Sequence, residues 1–203
     1  MKANKVLIAI SFLFVQVIFS GFTYANEAFV MKNGELERPT GYREWIYVGT
    51  PVTPNDMNNG KAAFPELHNV YIDPKSWKHW KNKGEFRDGT IIIKELVSVG
   101  SKSAVSGNGY FMGDFIGLEA TIKSKKHFKD EPGNWAYFSF SSADHKTLSK
   151  TAKAFPSKSC NSCHAGAAAD DFVFTQYYPV LSQGKGMKMK AGGGHFDSLK
   201  PVK

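Results

Sequence analysis

Cysteine is almost missing from this 203-residue chain: there are two, Cys160 and Cys163. No other thiol competes for them, and no second ligand pair at zinc-site spacing is evident. Acids are under-represented, with 18 Asp and Glu against 26 Lys and Arg, so the formal net charge is +8. The lysines are scattered, which fits an acidic partner, an anionic ligand or plain solubility. There is no nucleic-acid motif and no internal repeat. Beyond residue 25 no run is apolar enough to span a bilayer.

What is present is Cys160-Asn161-Ser162-Cys163-His164, the attachment pattern of a c-type haem. The two thiols add across the two vinyl groups of the porphyrin, and the adjoining His164 then lies under the iron as proximal ligand. A structural disulfide would have no use for His164. A thioredoxin-like redox pair would sit beside a βαβ pattern that the chain does not show. The motif therefore predicts one haem c per chain, with Cys160 and Cys163 binding the cofactor and His164 its metal.

Residues 1–25 read as a secretory signal. Lys2 and Lys5 precede a mostly apolar stretch, and Thr23-Tyr24-Ala25 offers a small-residue cleavage site. An uncleaved anchor is the alternative, but the run is short and Gln16 interrupts it, which favours removal. Export together with C-x-x-C-H predicts the bacterial periplasm. No membrane span is expected after removal of the signal.

Along the rest of the chain, residues 43–49 read as a strand ended by Gly49 and Pro51, and 62–72 as an extended segment broken by Pro65. Asp73-Pro74 is a helix start, and Gly84 closes that helix. Residues 90–99 form a β-branched strand after the Asp88-Gly89 turn. Residues 110–123 are a strand pair or one long bent strand, and 135–140 follow as a strand after a turn at 131–134. Residues 147–155 are helical in composition, and the haem motif opens a further helix through the alanines that follow it. Residues 183–203, rich in Gly and Lys, are expected to be a flexible tail. The expectation is an α+β fold: one haem-binding domain over 26–182, an antiparallel β-sheet core with a few helices, and the haem attached near the C-terminus. Only Met187 and Met189 follow the motif, in the tail, while a core strand could offer Met112. An open sixth position, hence ligand binding or catalysis, is favoured over electron transfer.

Two ionisable residues stand out in the strands. Alternation puts Thr90, Ile92, Lys94 and Leu96 on one face, where a lysine either snorkels to water or pairs with an acid such as Glu95. A buried ammonium would be costly. In residues 115–122, Phe115, Gly117, Glu119 and Thr121 share one face, which the pattern alone would turn to water. Tyr42 and Arg43 are candidates for lining the haem pocket or binding a propionate. The other histidines, His68 among them, are isolated and lack metal spacing.

Three stretches together resemble the cytochrome P-460 family: Phe86-Arg87-Asp88-Gly89-Thr90-Ile91-Ile92-Ile93-Lys94-Glu95-Leu96, the late Cys160-Asn161-Ser162-Cys163-His164, and Asp171-Phe172-Val173-Phe174-Thr175-Gln176-Tyr177-Tyr178-Pro179. The resemblance covers most of the chain after the signal. It implies a mono-haem enzyme that oxidises hydroxylamine to nitrous oxide or nitrite, or a related gas-binding cytochrome of the c-prime beta type that holds nitric oxide or carbon monoxide. It also implies a haem cross-linked through a lysine, here Lys94, and a distal acid acting in proton transfer, here Glu119. The partners it implies are hydroxylamine and nitric oxide as ligands, a soluble c-type cytochrome as electron acceptor, and a second copy of the chain in a homodimer.

Overall fold

The computed structural model describes residues 28–186. The expected signal at 1–25, most of the expected tail, Met187, Met189 and His195 lie outside the described residues. The fold is α+β. Its strands are β1 (Met31–Lys32), β2 (Glu35–Glu37), β3 (Ile46–Gly49), β4 (Leu67–Ile72), β5 (Thr90–Val99), β6 (Ser103–Ala104), β7 (Gly107–Asn108), β8 (Met112–Lys123), β9 (Trp135–Ser139) and β10 (Thr151–Ala152). Among the described residues the α-helices are α1 (Pro74–Lys83), α2 (Ser157–Ala167) and α3 (Pro179–Gly184). The main sheet is antiparallel throughout, in the order β3-β4-β5-β8-β9, beside a small sheet β1-β2-β10 and the hairpin β6-β7.

β5 takes the centre because its β-branched run can bury both faces at once. Ile91 and Ile93 are fully buried on one face, and Thr90 and Ile92 are buried on the other. Period-two alternation therefore builds two cores. The first joins Ile91, Ile93, Leu118, Ala120, Ile122, Ala136 and Phe138 to Phe29, Leu36 and Ala152 under the small sheet. The second sets Ile72, Ile92, Trp135 and Tyr137 against Trp80, Phe86, Val173 and Leu181. Residues 112–123 are one long strand, and the register against β5 shifts on either side of Val97, where the strand bends.

α1 starts and stops as its sequence dictates. The Asp73 carboxylate accepts from Ser76 N–H at 3.0 Å, Pro74 occupies the first turn, and Gly84 ends the helix at φ 72°. Asp73 is wholly buried, and its other oxygen accepts from Ile91 N–H at 3.2 Å, so the cap also ties α1 to β5. Trp80 donates to the Leu181 carbonyl at 2.8 Å and stacks on Phe86, joining α1 to α3.

Four local expectations change. Residues 147–155 are not helical: β10 pairs with β2, and the N–H groups of Ser149 and Phe155 donate to the carbonyls of Phe140 and Tyr137. Open sheet edges offered those groups partners, and tertiary pairing outweighed helical composition. Tyr42–Glu44 is a 3-10 turn, and the strand begins only at Ile46. The segment before Leu67 is loop. Residues 183–186 are not free of the domain, because α3 runs to Gly184, which is buried.

Candidate haem site

α2 carries Cys160, Cys163 and His164 at positions i, i+3 and i+4, which share one side of a helix. Both thiols are free. Burial raises the pKa of Cys160, and the charge of Glu119 adds to that rise while Lys94 opposes it. His164 donates from Nδ1 to the Phe172 carbonyl at 2.7 Å, which leaves Nε2 as the free ligand atom. Its ring is held between Tyr137 and Phe174, with centroids 4.4 and 4.6 Å away. Burial lowers its pKa, the bond to Phe172 opposes that, and the positive charge of Lys94 lowers it further, so the imidazole is kept neutral.

Across from α2, the sheet brings Lys94 and Glu119 together. They are direct partners in the β5–β8 register, and Nζ lies 2.6 Å from Oε2. Both side chains are roughly three-quarters buried, at 26% and 28% exposure. Lys94 thus pairs with Glu119 and not with Glu95, and the Glu119 face does not simply meet water. Phe64 lies beside the pair, its ring 5.4 Å from Lys94 Nζ, and His68 lies 6.3 Å from the Phe64 ring. His68 Nε2 is 3.2 Å from Glu66 Oε1. Burial pushes the Glu66 carboxyl up, but the His68 hydrogen bond and the Lys94 charge hold it below its ordinary value.

Tyr42 and Arg43 do not join this site. Both donate to Glu95 Oε1, at 2.7 and 2.6 Å, on the opposite face of the sheet, where Glu95 is buried. Met112 belongs to that other face too: its sulfur is 3.7 Å from Asn69 Nδ2, which also contacts Glu95. Met112 is therefore not placed to meet an iron held by His164. Asn161, between the two cysteines, carries no signal of its own in the sequence. It is buried, and its Nδ2 donates to Glu131 Oε2 at 3.0 Å and to the Trp135 carbonyl at 3.3 Å, anchoring α2 to the sheet. Phe64, Glu66 and His68 were missed because only strand register shows that His68 shares the Lys94 face.

These residues fit a haem. Two thiols and a neutral imidazole sit on one helix side, with aromatic rings around the imidazole. The Tyr137 hydroxyl, buried beside His164, makes no hydrogen bond within normal distance among the described residues and suits a polar group of the ligand. Among the described residues, no group of three or more His, Cys, Asp and Glu is arranged to hold a metal ion. An α+β chain that turns a Cys-x-x-Cys-His helix towards a sheet face is of the haem cytochrome class. The family model for cytochrome P-460 matches residues 39–175, well over half of the chain, and the chain belongs to that family. No curated protein matches it.

Proposed function

We propose that this protein is a periplasmic mono-haem c-type cytochrome that oxidises hydroxylamine, to nitrous oxide or nitrite, at an open iron site. The observation that carries the reading is the Lys94–Glu119 pair, opposed on the sheet face that looks towards His164. Cys160 and Cys163 hold the haem through thioethers, and His164 is the ligand to its iron. When bound, the haem supplies an iron that takes the substrate nitrogen and accepts its electrons.

Lys94 would be the residue that holds the porphyrin edge through its side-chain nitrogen, and a nitrogen so bonded would not carry the ammonium charge that a largely buried side chain holds at a cost. Glu119 then loses its cation and stands as a carboxylate free to accept a substrate proton. Its position on a paired strand, not a loop, fixes the oxygen against the reacting group. Phe64, itself more than half exposed, is the apolar ring beside the pair, and the Glu66–His68 pair is the next acceptor for the proton. The signal at 1–25 exports the chain. A soluble c-type cytochrome takes the electrons, its acidic face meeting a basic surface, and the working unit is a homodimer.

The test is an intact mass and an absorption spectrum of the purified protein, followed by hydroxylamine turnover with a cytochrome acceptor. The expected mass is the chain from Asn26 plus one haem that acidified organic solvent does not extract. Extractable haem, or no turnover, rejects the reading. A second reading, a cytochrome c-prime beta type that binds nitric oxide or carbon monoxide, is favoured by the apolar Phe64 ring over the site. It requires ligand binding without turnover and an ordinary c-type spectrum.

A further inference from the structure

Between α2 and α3 the backbone does something costly. Asp171 and Phe172 are consecutive residues at positive φ, 42° and 64°. They are the central pair of a tight turn closed by Val173 N–H donating to the Asp170 carbonyl at 2.8 Å. Two central residues at positive φ are the mark of a type I′ turn, which ordinarily takes Asn, Asp or Gly. Asp171 suits the first place. Phe172 does not suit the second, because the left-handed backbone crowds a bulky residue's Cβ against the carbonyl oxygen that follows. Something must hold it.

Asp171 is what the rest of the protein grips. Lys123 Nζ lies 2.5 Å from Asp171 Oδ2, and Trp135 Nε1 donates to Asp171 Oδ1 at 3.2 Å. Lys123 and Trp135 are register partners on β8 and β9, and the ammonium lies 5.5 Å from the indole ring centroid. One rigid cross-strand pair thus clamps both carboxylate oxygens. The Phe172 ring packs so closely on Gly133 that a Cβ there would come within 2.6 Å of it. The product of this grip is one contact: the Phe172 carbonyl accepts from His164 Nδ1 at 2.7 Å.

We propose that Asp171 is a positioning residue for His164: the Lys123–Trp135 clamp on its carboxylate holds the strained turn and aims the Phe172 carbonyl at the imidazole. That hydrogen bond fixes the Nδ1–H tautomer and makes Nε2 a stronger donor to iron. The same strand, β8, carries Glu119 and Lys123, so one element sets both the proton acceptor and the strength of the opposite ligand. The inference rests on His164 ligating a covalently held haem.

The experiment uses the full haem-loaded chain and two variants, Asp171→Asn and Lys123→Gln. The readouts are the iron–histidine stretching band of the ferrous protein and the midpoint potential. Both variants are expected to keep thioether-bound haem, to move the band to lower frequency and to raise the potential. The double variant should shift no further than either single one, because the two residues act through one contact. An unmoved band and potential in either folded variant overturns the proposal. Failure of both variants to accumulate with haem also overturns it, because the clamp would then serve folding and not the ligand. Absence of an iron–histidine band in the parent protein would remove the His164 assignment instead, so the two failures are distinguishable.

Discussion

Lys94 and Glu119 stand directly opposite one another in the β5–β8 ladder, with Nζ 2.6 Å from Oε2, on the face of the sheet that meets the Cys-x-x-Cys-His helix. Neither residue would be brought to the site by its own strand alone. A slip of one residue in the register would send one of them to the apolar core beneath the small sheet. The pair is therefore as much a property of strand pairing as of two side chains.

Replacing Lys94 separates attachment from haem electronics. Lys94→Leu is expected to retain haem on Cys160 and Cys163, move the Soret band towards that of an ordinary c-type haem, and lower hydroxylamine oxidation. A spectrum unchanged from the parent would mean there is no bond between Lys94 and the porphyrin.

Glu119→Ala is expected to act in the opposite sense. The spectrum should keep its character, while turnover falls by about 10²-fold, the scale of a positioned base. Rates measured at saturating hydroxylamine decide it, and a parent-like kcat would remove Glu119 from proton transfer.

The sixth position should be open to exogenous ligands. Met112 lies on the far face beside Asn69, so Met112→Leu should leave the ferric spectrum as it was. Azide or imidazole should bind both proteins alike. A methionine–iron band in the parent that disappears in the variant would contradict this geometry.

Asn161 should matter although it lies between the two cysteines as a spacer. Asn161→Ala leaves the Glu131 carboxylate and the Trp135 carbonyl without their shared donor, a loss of about 1–3 kcal/mol. Asn161→Asp should be worse, because it sets a second carboxylate against Glu131. Its defect should ease as the pH is lowered and one carboxylate is protonated. Urea unfolding at two pH values tests both claims.

Alkaline stability should depend on Tyr178, whose phenol is pushed up to about 12 by burial. Above pH 10 the unfolded chain loses this proton while the folded chain keeps it. The contribution is therefore intact below pH 10 and lost as pH rises towards about 12, at about 1.4 kcal/mol per pH unit. Tyr178→Phe should flatten that part of the stability profile. Denaturation midpoints across the range would show it, and identical slopes would contradict it.

The sequence alone determined a good deal. Local chemistry suffices for Asp73-Pro74 as a helix start and Gly84 as its end, because capping involves groups within a few residues of each other. The β-branched run over residues 90–99 reads as a strand and is one. The C-x-x-C-H motif needs no fold to be read. Tertiary structure decided the rest. Residues 147–155 look helical in isolation and are extended because sheet edges took their hydrogen bonds. Arg43 and Tyr42, apt for a propionate, turn to Glu95 because alternation sends that buried carboxylate to the other face. Lys94 meets Glu119, and Lys123 with Trp135 grips Asp171, only through strand register and a turn that folds back on the sheet. Those pairings link residues tens of positions apart, and no local periodicity encodes which strand lies next to which.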